Sequence, residues 1–573
     1  MTTLPISQPA GFPSEHDVEP RGLTPADLQR LRDLIHLNDW TEQFAFELGL
    51  DNREQALRRV AVEFGMSVVD LSQASIDPQI LENFPVRLIH RHSVFPTSCD
   101  EQTLTLALSN PFDLQALDAV SSATGTLVVP QLALPSELAL LIKTHLGVGA
   151  ETIDGLIAQD QPDEDVQVLE DLVFDDSEAS DMAQQASVVR LVNEILSEAV
   201  EARASDIHLE AQAKGMKIRY RIDGVLQTQP MPAELDRFRL AIVSRLKIMS
   251  RMNIAEKRVP QDGRIKLKIS GREVDIRVSV IPMHHGEGVV MRVLDKDAMS
   301  FSLPSMGLET DTLESFHRLI RQPHGILLVT GPTGSGKTTT LYSALAAIQS
   351  EKTKIITTED PIEYQLDGIN QIQVHTKVGL TFAASLRSIL RHDPDVVLVG
   401  EIRDAETAEN AIQAALTGHM VFSTLHTNDA SSAFMRLTDM GVEPFLMAST
   451  VEGIMAQRLV RTLCRECREA GILTRSDLPD DFPIQHTAQP QTLHQPHGCR
   501  ACRSTGYSGR LGIYELLEVN DEVRSLANER RTSAVIKQAA IAHGMRTLRQ
   551  DGWNKVLQGQ TSVDEVLRVT KTD

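Results

Sequence analysis

Residues 331–338 read Gly-Pro-Thr-Gly-Ser-Gly-Lys-Thr, a full match to the pattern GxxxxGK[ST]. The apolar run ILLVT comes directly before it and the helical run TTLYSALAAI directly after it. No other stretch constrains the fold as strongly. Such a loop works only where successive backbone N–H groups turn inward on an anion and a helix N-terminus adds its positive end. The segment predicts a phosphate cradle built from Gly331, Pro332, Thr333, Gly334, Ser335, Gly336, Lys337, Thr338 and Thr339. Lys337 is expected to reach the β- and γ-phosphates of ATP, and Thr338 to ligate Mg2+.

The surrounding chain supplies the sheet that such a loop needs. Between about 305 and 460 short apolar runs alternate with helical ones: KIITTED, VVLVGE followed by TAENAIQAAL, and MVFSTL. Strand–helix alternation predicts an α/β fold, a parallel sheet with helices on both sides. Glu401 stands just past the strand Val396 to Val399, where ligands bind in open α/β sheets. It is a candidate to polarise the attacking water or to act through a Mg2+-bound water.

A chain of 573 residues exceeds one core. Residues 1–24, rich in Pro, Ser and Gly, are expected to be disordered. Residues 25–150 carry helical patterns (LQRLRDLI, REQALRRVAVEF, SELALLIKTHL) around a β-like piece, TLTLALSN, and predict a small N-terminal domain. Cys99 within it is expected to be a buried small hydrophobe. Residues 151–185 form an acidic segment, with twelve acidic residues between 151 and 181 and no Lys or Arg from 144 to 189. That composition predicts a self-repelling, solvated linker. Residues 186–300 open on the helical run VVRLVNEILSEAVEA and continue as alternating strands. A mixed sheet with a helix on one face is expected, with turns at Asp262-Gly263 and Ser270-Gly271. Residues 301–573 hold the nucleotide-binding domain.

Within that last domain, residues 461–515 contain Cys464-x-x-Cys467 and Cys499-x-x-Cys502, 31 residues apart. Two CxxC pairs offer tetrahedral thiolate geometry for Zn2+. The spacing exceeds the common 15–20 residues, so a loop must bulge out between them. Four thiolates close the shell, leaving His494 and His497 outside it, and make the site structural.

Several motifs in order resemble the GspE/PilB-type secretion ATPases, the motors of type II secretion and type IV pilus assembly, over about residues 185–570. Thr358-Glu-Asp-Pro-Ile-Glu363 resembles the family's aspartate box. The resemblance implies that Glu363, with Glu359 and Asp360 as alternatives, helps activate water. Thr417-Gly-His419 and Ser423-Thr-Leu-His426-Thr-Asn resemble its histidine box, which makes His419 and His426 candidates to sense the γ-phosphate. The segments around His208, Asp223, Arg264 and Arg277 resemble the family's second N-terminal domain, whose arginines reach the phosphates; Arg264 and Arg277 match by position, Arg258 and Arg292 less well. The resemblance further implies a RecA-like motor domain, a preceding α+β (PAS-like) domain, a small docking domain and a zinc-binding insertion. It implies a homohexamer working with an inner-membrane platform protein and with the cytoplasmic domain of a membrane-anchored secretion component. The paired Arg-Leu-Gly motifs of relatives that bind cyclic di-GMP are not found; Phe46-Glu-Leu-Gly49 lacks the Arg. The stretches 440–445 and 456–464 look more like the secretion branch than pilus extension, with retraction motors third.

Composition weighs against the rivals. A nucleic-acid motor needs a basic channel and stacking aromatics, whereas the net charge is −22 and aromatics are 4% of residues. A nonenzymatic nucleotide-gated scaffold is the alternative of another class, but Lys337, Thr338, Glu363 and Glu401 are all present. No run approaches the roughly 18 apolar residues that span a bilayer, and the first residues lack a signal-peptide pattern. A cytoplasmic protein, peripheral at the inner membrane, is expected.

Overall fold

The computed structural model describes residues 23–37, 39–71, 80–81, 84–100, 102–146, 166–168, 186–231, 233–269, 271–295, 301–483, 491–499 and 501–571. The expected disorder of residues 1–22 and most of the acidic segment (151–165 and 169–185) lie outside the described residues. Three large sheets follow one another along the chain.

The first sheet contains β1 (Ser67–Val68), β2 (Val94–Cys99), β3 (Thr103–Leu108) and β4 (Leu127–Leu132) in the order β1-β4-β3-β2. Trp40, Phe44, Leu57 and Val60 from two preceding helices fill its core beside Phe95, Leu104 and Leu106. Cys99 does not join that core. It ends β2 in an exposed position, because the strand's inward residues stop at Pro96.

The second sheet runs β5 (Val166–Val168), β9 (Gln261–Ile269), β10 (Arg272–Met283), β11 (Gly286–Asp295), β6 (Ala204–Gln212), β7 (Gly215–Ile222) and β8 (Val225–Thr228). Every ladder in it is antiparallel, so the expected mixed sheet is corrected: its strands join mainly by short reversals, which give antiparallel neighbours. Strand β5 shows that the acidic segment is not solvated spacer throughout. Its backbone adds an edge to β9 in the register Gln167 to Lys268. Asp262-Gly263 is likewise no turn. Both residues lie inside β9, and Gly263 is required because a Cβ there would stand 2.4 Å from the carbonyl oxygen of Ser250. Helices Ala186–Glu201 and Arg239–Met249 cover the apolar face, burying Leu191, Ile195, Ile242 and Leu246 against Ile207, Ile218, Ile265 and Ile276. Each such side chain removed from water contributes about 1.5–3 kcal/mol.

The third sheet runs β14 (Asn370–Gln373), β13 (Ile355–Glu359), β15 (Val396–Val399), β16 (Met420–Leu425), β12 (Gly325–Thr330), β17 (Val451–Leu463) and β20 (Tyr507–Glu518). All neighbours are parallel except β17 and β20. β12, β15 and β16 are buried at every position, as parallel strands covered on both faces must be. Their side chains alternate between two cores. Ile326, Leu328, Val397 and Val421 enter one, and Leu327, Val329, Leu398 and Phe422 enter the other. A small hairpin, β18 (Glu469–Leu473) with β19 (Gln491–Gln495), projects between β17 and β20. Among the described residues no helix is long and apolar enough to cross a membrane.

Candidate functional site

The C-terminal ends of β12, β13, β15 and β16 share one edge of the third sheet, because these strands are parallel and in register. The loop 331–336 leaves β12 there and enters helix Lys337–Ile348. Gly331 (φ +145°) and Gly336 (φ +87°) hold backbone that L side chains rarely adopt, and neither site has room for a Cβ. At Gly331 it would stand 2.5 Å from the Gln457 carbonyl oxygen, and at Gly336 2.8 Å from Gln457 Nε2. β17 is thus a wall of the cradle, and Thr340 Oγ1 ties the helix to it by donating to Gln457 Oε1 at 2.7 Å. Lys337 Nζ donates back to the carbonyl oxygens of Gly331 (2.9 Å) and Pro332 (3.0 Å), arching over the loop. Burial lowers the basicity of Lys337, Glu401 opposes that effect and Arg458 adds to it.

Glu401 follows β15 and meets two nitrogen-bearing side chains. Its carboxylate pairs with Arg403 and lies 3.3 Å from His426 Nε2. Burial pushes this carboxyl up, but Arg403 and His426 outweigh it and hold it below the usual carboxylate range. His426 stands just past β16, so Glu401 and His426 converge on the cradle edge. His419 does not. It precedes β16 at the opposite end of the sheet, seven residues before His426 and about 23 Å from it at the rise of a strand. Its Nδ1 lies 2.9 Å from the Ala414 carbonyl oxygen, and its own carbonyl accepts from Gly325 N. His419 is therefore apart from the cradle of its own chain.

Two of the three acids of the 358–363 segment, Glu359 and Glu363, have different surroundings. Glu359 is buried and engaged at both oxygens: Tyr342 Oη donates to one, while Thr357 Oγ1 (2.5 Å) and Gln371 Nε2 (3.1 Å) donate to the other. Glu363 lies beyond the strand end and takes Arg277 from the second sheet at 2.8 and 3.2 Å. Arg277 also donates to the Ile362 carbonyl oxygen at 3.3 Å.

Arg277 is the middle of a row. β10 pairs it with Arg264 on β9 and with Arg292 on β11. Arg264 is anchored by buried Asp275, and Arg292 by Asp206 at 3.1 Å. Arg258 lies off the row, paired locally with Glu256 at 2.7 Å. A second link between the sheets joins Asp223 to Gly509 N at 2.8 Å.

The four cysteines come together. Sγ–Sγ separations are 3.8 Å (Cys464–Cys499), 3.7 Å (Cys467–Cys502) and 3.7 Å (Cys499–Cys502). They are the one group of metal-ligating side chains found among the described residues, with all Sγ atoms within 4.8 Å of one another. A tetrahedron with Zn–S near 2.3 Å has edges of about 3.8 Å, so the cage fits that ion and is too open for disulfides. Backbone N–H groups of Gly498, Cys499 and Gly506 point at Sγ atoms at 3.1–3.3 Å, as donors to thiolates do. His494 and His497 stay outside the group. The insertion is bolted to the C-terminal helices: Asp481 takes Arg549 and Trp553 Nε1 (3.1 Å), Arg461 pairs with Glu565 (2.6 Å), and Phe482 packs on Trp553.

Arg403, Gln457 and Arg458 are the site residues that sequence reasoning does not single out. Arg403 is visible only as a charge two positions from Glu401. Gln457 and Arg458 interrupt an apolar strand, and only the register of β17 beside β12 brings them to the cradle.

Comparison with known proteins supplies the context. A family model described as Type II/IV secretion system protein matches residues 181–568, and a MshEN domain model matches residues 64–152. The chain is 44% identical to the "Type II secretion system protein E" of Xanthomonas campestris pv. campestris, over 91% of this chain and 92% of that protein. It is 51% identical to the protein of the same name from Aeromonas hydrophila, over 69% of this chain and 77% of that protein. It is 40% identical to the "Type IV pilus assembly ATPase PilB" of Myxococcus xanthus, over 89% of this chain and 90% of that protein.

Proposed function

The chain belongs to the Type II/IV secretion system protein family, and from that premise we propose that it is an ATP-hydrolysing motor that powers type II protein secretion through pseudopilus assembly. The observation that carries the reading is the ion pair between Arg277 of the second sheet and Glu363 of the third, at the edge where the cradle opens. It makes the contents of the cradle and the spacing of two domains one variable.

ATP sits on the loop 331–336 with Lys337 along its phosphates. Thr338 would hold Mg2+, which supplies charge neutralisation on the phosphates. Glu401, oriented by His426 and Arg403, holds the attacking water. Glu363 is the second acid of the site. Glu359, tied by Tyr342, Thr357 and Gln371, acts as a brace for β13. Arg277 leaves Glu363 for the γ-phosphate when the domains close, and Arg264 and Arg292 flank it. A guanidinium stabilises the charge that builds on the transferred phosphoryl. Loss of phosphate reopens the clamp, and the domain rotation is the work delivered.

Six copies form the working ring, at the cytoplasmic face of the inner membrane. The partners are a platform protein and the cytoplasmic part of a membrane-anchored component, with the N-terminal domain as the docking element. Cys464, Cys467, Cys499 and Cys502 would hold Zn2+, which would stiffen the insertion. Pilus extension is the second reading, carried by the likeness to the Myxococcus protein. The deciding assay is phosphate release from ATP with Mg2+ across protein concentration, for wild type, Glu401→Ala and Arg277→Ala. Specific activity that rises with concentration and vanishes in both variants supports an assembled motor. A wild type that is inactive at every concentration, even with platform protein and acidic lipid, leaves a nucleotide-gated scaffold.

A further inference from the structure

The wall that β17 sets against the cradle carries a cation that the scheme above does not use. Arg458 follows Gln457, whose carbonyl and amide crowd Gly331 and Gly336. Its guanidinium does not stay on its own strand. Nη2 donates at 2.8 Å to Oδ1 of Asn428, in the loop after β16. β17 and β16 flank β12, so the side chain crosses the end of β12, where the phosphate loop begins. Asn428 is two residues from His426, which meets Glu401.

One edge of this guanidinium lacks a partner. Arg458 Nε is a buried donor with no acceptor among the described residues, and so is Gln457 Nε2 at the adjacent position. Buried donors are nearly always paired, so an unmatched pair beside a phosphate loop implies an acceptor that arrives with a ligand. The charge balance agrees: burial holds both Lys337 and Arg458 below their usual basicity, and Arg458 adds to the effect at Lys337. A site short of negative charge favours the most highly charged anion offered.

We propose that Arg458 is a same-chain ligand of the terminal phosphate, held in reach by Asn428, and that it makes the site prefer a nucleoside triphosphate to a diphosphate. The inference rests on the ATPase reading and adds to it a cation supplied by the chain that holds the nucleotide. In the diphosphate state Arg458 keeps its bond to Asn428 and Nε waits. A triphosphate gives Nε its acceptor, and the loop bearing Asn428 and His426 feels the pull.

The test is binding of a fluorescent non-hydrolysable ATP analogue and the matching ADP analogue to the full chain with Mg2+. Arg458→Gln is expected to lose about tenfold in affinity for the ATP analogue with ADP binding held, a loss in the range for a charge-assisted hydrogen bond. Arg458→Lys should recover part of that preference, and Asn428→Ala should lose part of it. A preference unchanged in Arg458→Gln, or an equal loss for both nucleotides, overturns the proposal. If thermal melting shows that Arg458→Gln is unfolded, Arg458→Lys and Asn428→Ala decide by the same ratio. A wild type that binds neither analogue removes the ATPase reading itself, a result distinct from a variant that merely keeps its preference.

Discussion

Arg277 and Glu363 are 86 residues apart in sequence and 2.8 Å apart in space, each about a quarter exposed, one on the antiparallel sheet and the other beside the nucleotide edge. An ion pair exposed to that degree contributes little to stability, about 1 kcal/mol or less. Its interest is positional, since the guanidinium is already within the site before any phosphate is bound.

Arg277→Ala is therefore expected to leave the melting temperature nearly unchanged while lowering kcat by about 10³-fold or more, the range found where an arginine faces a transferred phosphoryl. Arg277→Lys should recover little, because an ammonium lacks the planar fork that spans two oxygens. Phosphate release and thermal melting of the same samples separate the two effects. Arg264→Ala should differ by melting earlier, since it strips buried Asp275 of its partner; the half-exposed arginine limits the cost to about 1–2 kcal/mol.

Gly336→Ala tests the cradle's shape without touching its chemistry. The φ of +87° and the 2.8 Å approach of Gln457 Nε2 together oppose a methyl group. A left-handed residue with a Cβ costs about 1–2 kcal/mol before the collision is counted. Nucleotide affinity measured by titration should fall at least tenfold, while Gly334→Ala, where no atom lies within 4 Å, should lose less.

Removal of zinc should loosen one region rather than the whole chain. The purified protein is expected to carry one zinc per chain, and Cys502→Ser to carry none. Binding at such sites is worth on the order of 10 kcal/mol of ordering. Trp553 reports it, because Phe482 of the insertion packs on that ring at 5.1 Å and Asp481 holds its indole N–H. Chelation should shift tryptophan emission to the red, an effect that Trp553→Phe abolishes and that leaves Trp40, in the first domain, as control.

Acid should act on the same junction. Burial pushes the Glu565 carboxyl up, but Arg568 and Arg461 outweigh it and hold it at about 2, against an ordinary 4.5. The folded chain thus gives up this proton more readily than the unfolded chain. The stabilisation is complete above about pH 4.5 and is lost as pH falls through about 2. Melting curves of wild type and Glu565→Gln should differ at pH 7 and converge as pH falls through that window.

Local pattern made the cradle readable, because its glycines, lysine and flanking strand lie within a dozen residues. The cysteine cage was readable from pairs at fixed spacing. What escaped depends on neighbours far along the chain. Asp262-Gly263 has turn chemistry, yet the glycine serves the close passage of Ser250. The antiparallel sense of the second sheet follows from which edges meet, a matter on which alternation is silent. His419 and His426 look equivalent in sequence, but they bracket one strand, and a strand separates its ends. The segment 166–168 sits in an acidic run whose composition speaks for solvation, while its pairing with β9 is a backbone matter.

Strand β17 touches the phosphate loop at Gln457 and ends at Leu463, one residue before the first cysteine of the cage, with β20 laddered beside it nearly throughout. From Arg458 to Cys464 is about 20 Å of paired strand. A ribbon of that kind bends poorly, so the cysteine module rides on the nucleotide site as a pointer rides on its pivot. A tilt too small to notice at the phosphates sweeps a larger arc at the module. A label placed on the exposed hairpin at Ile472 would read the pivot's angle directly.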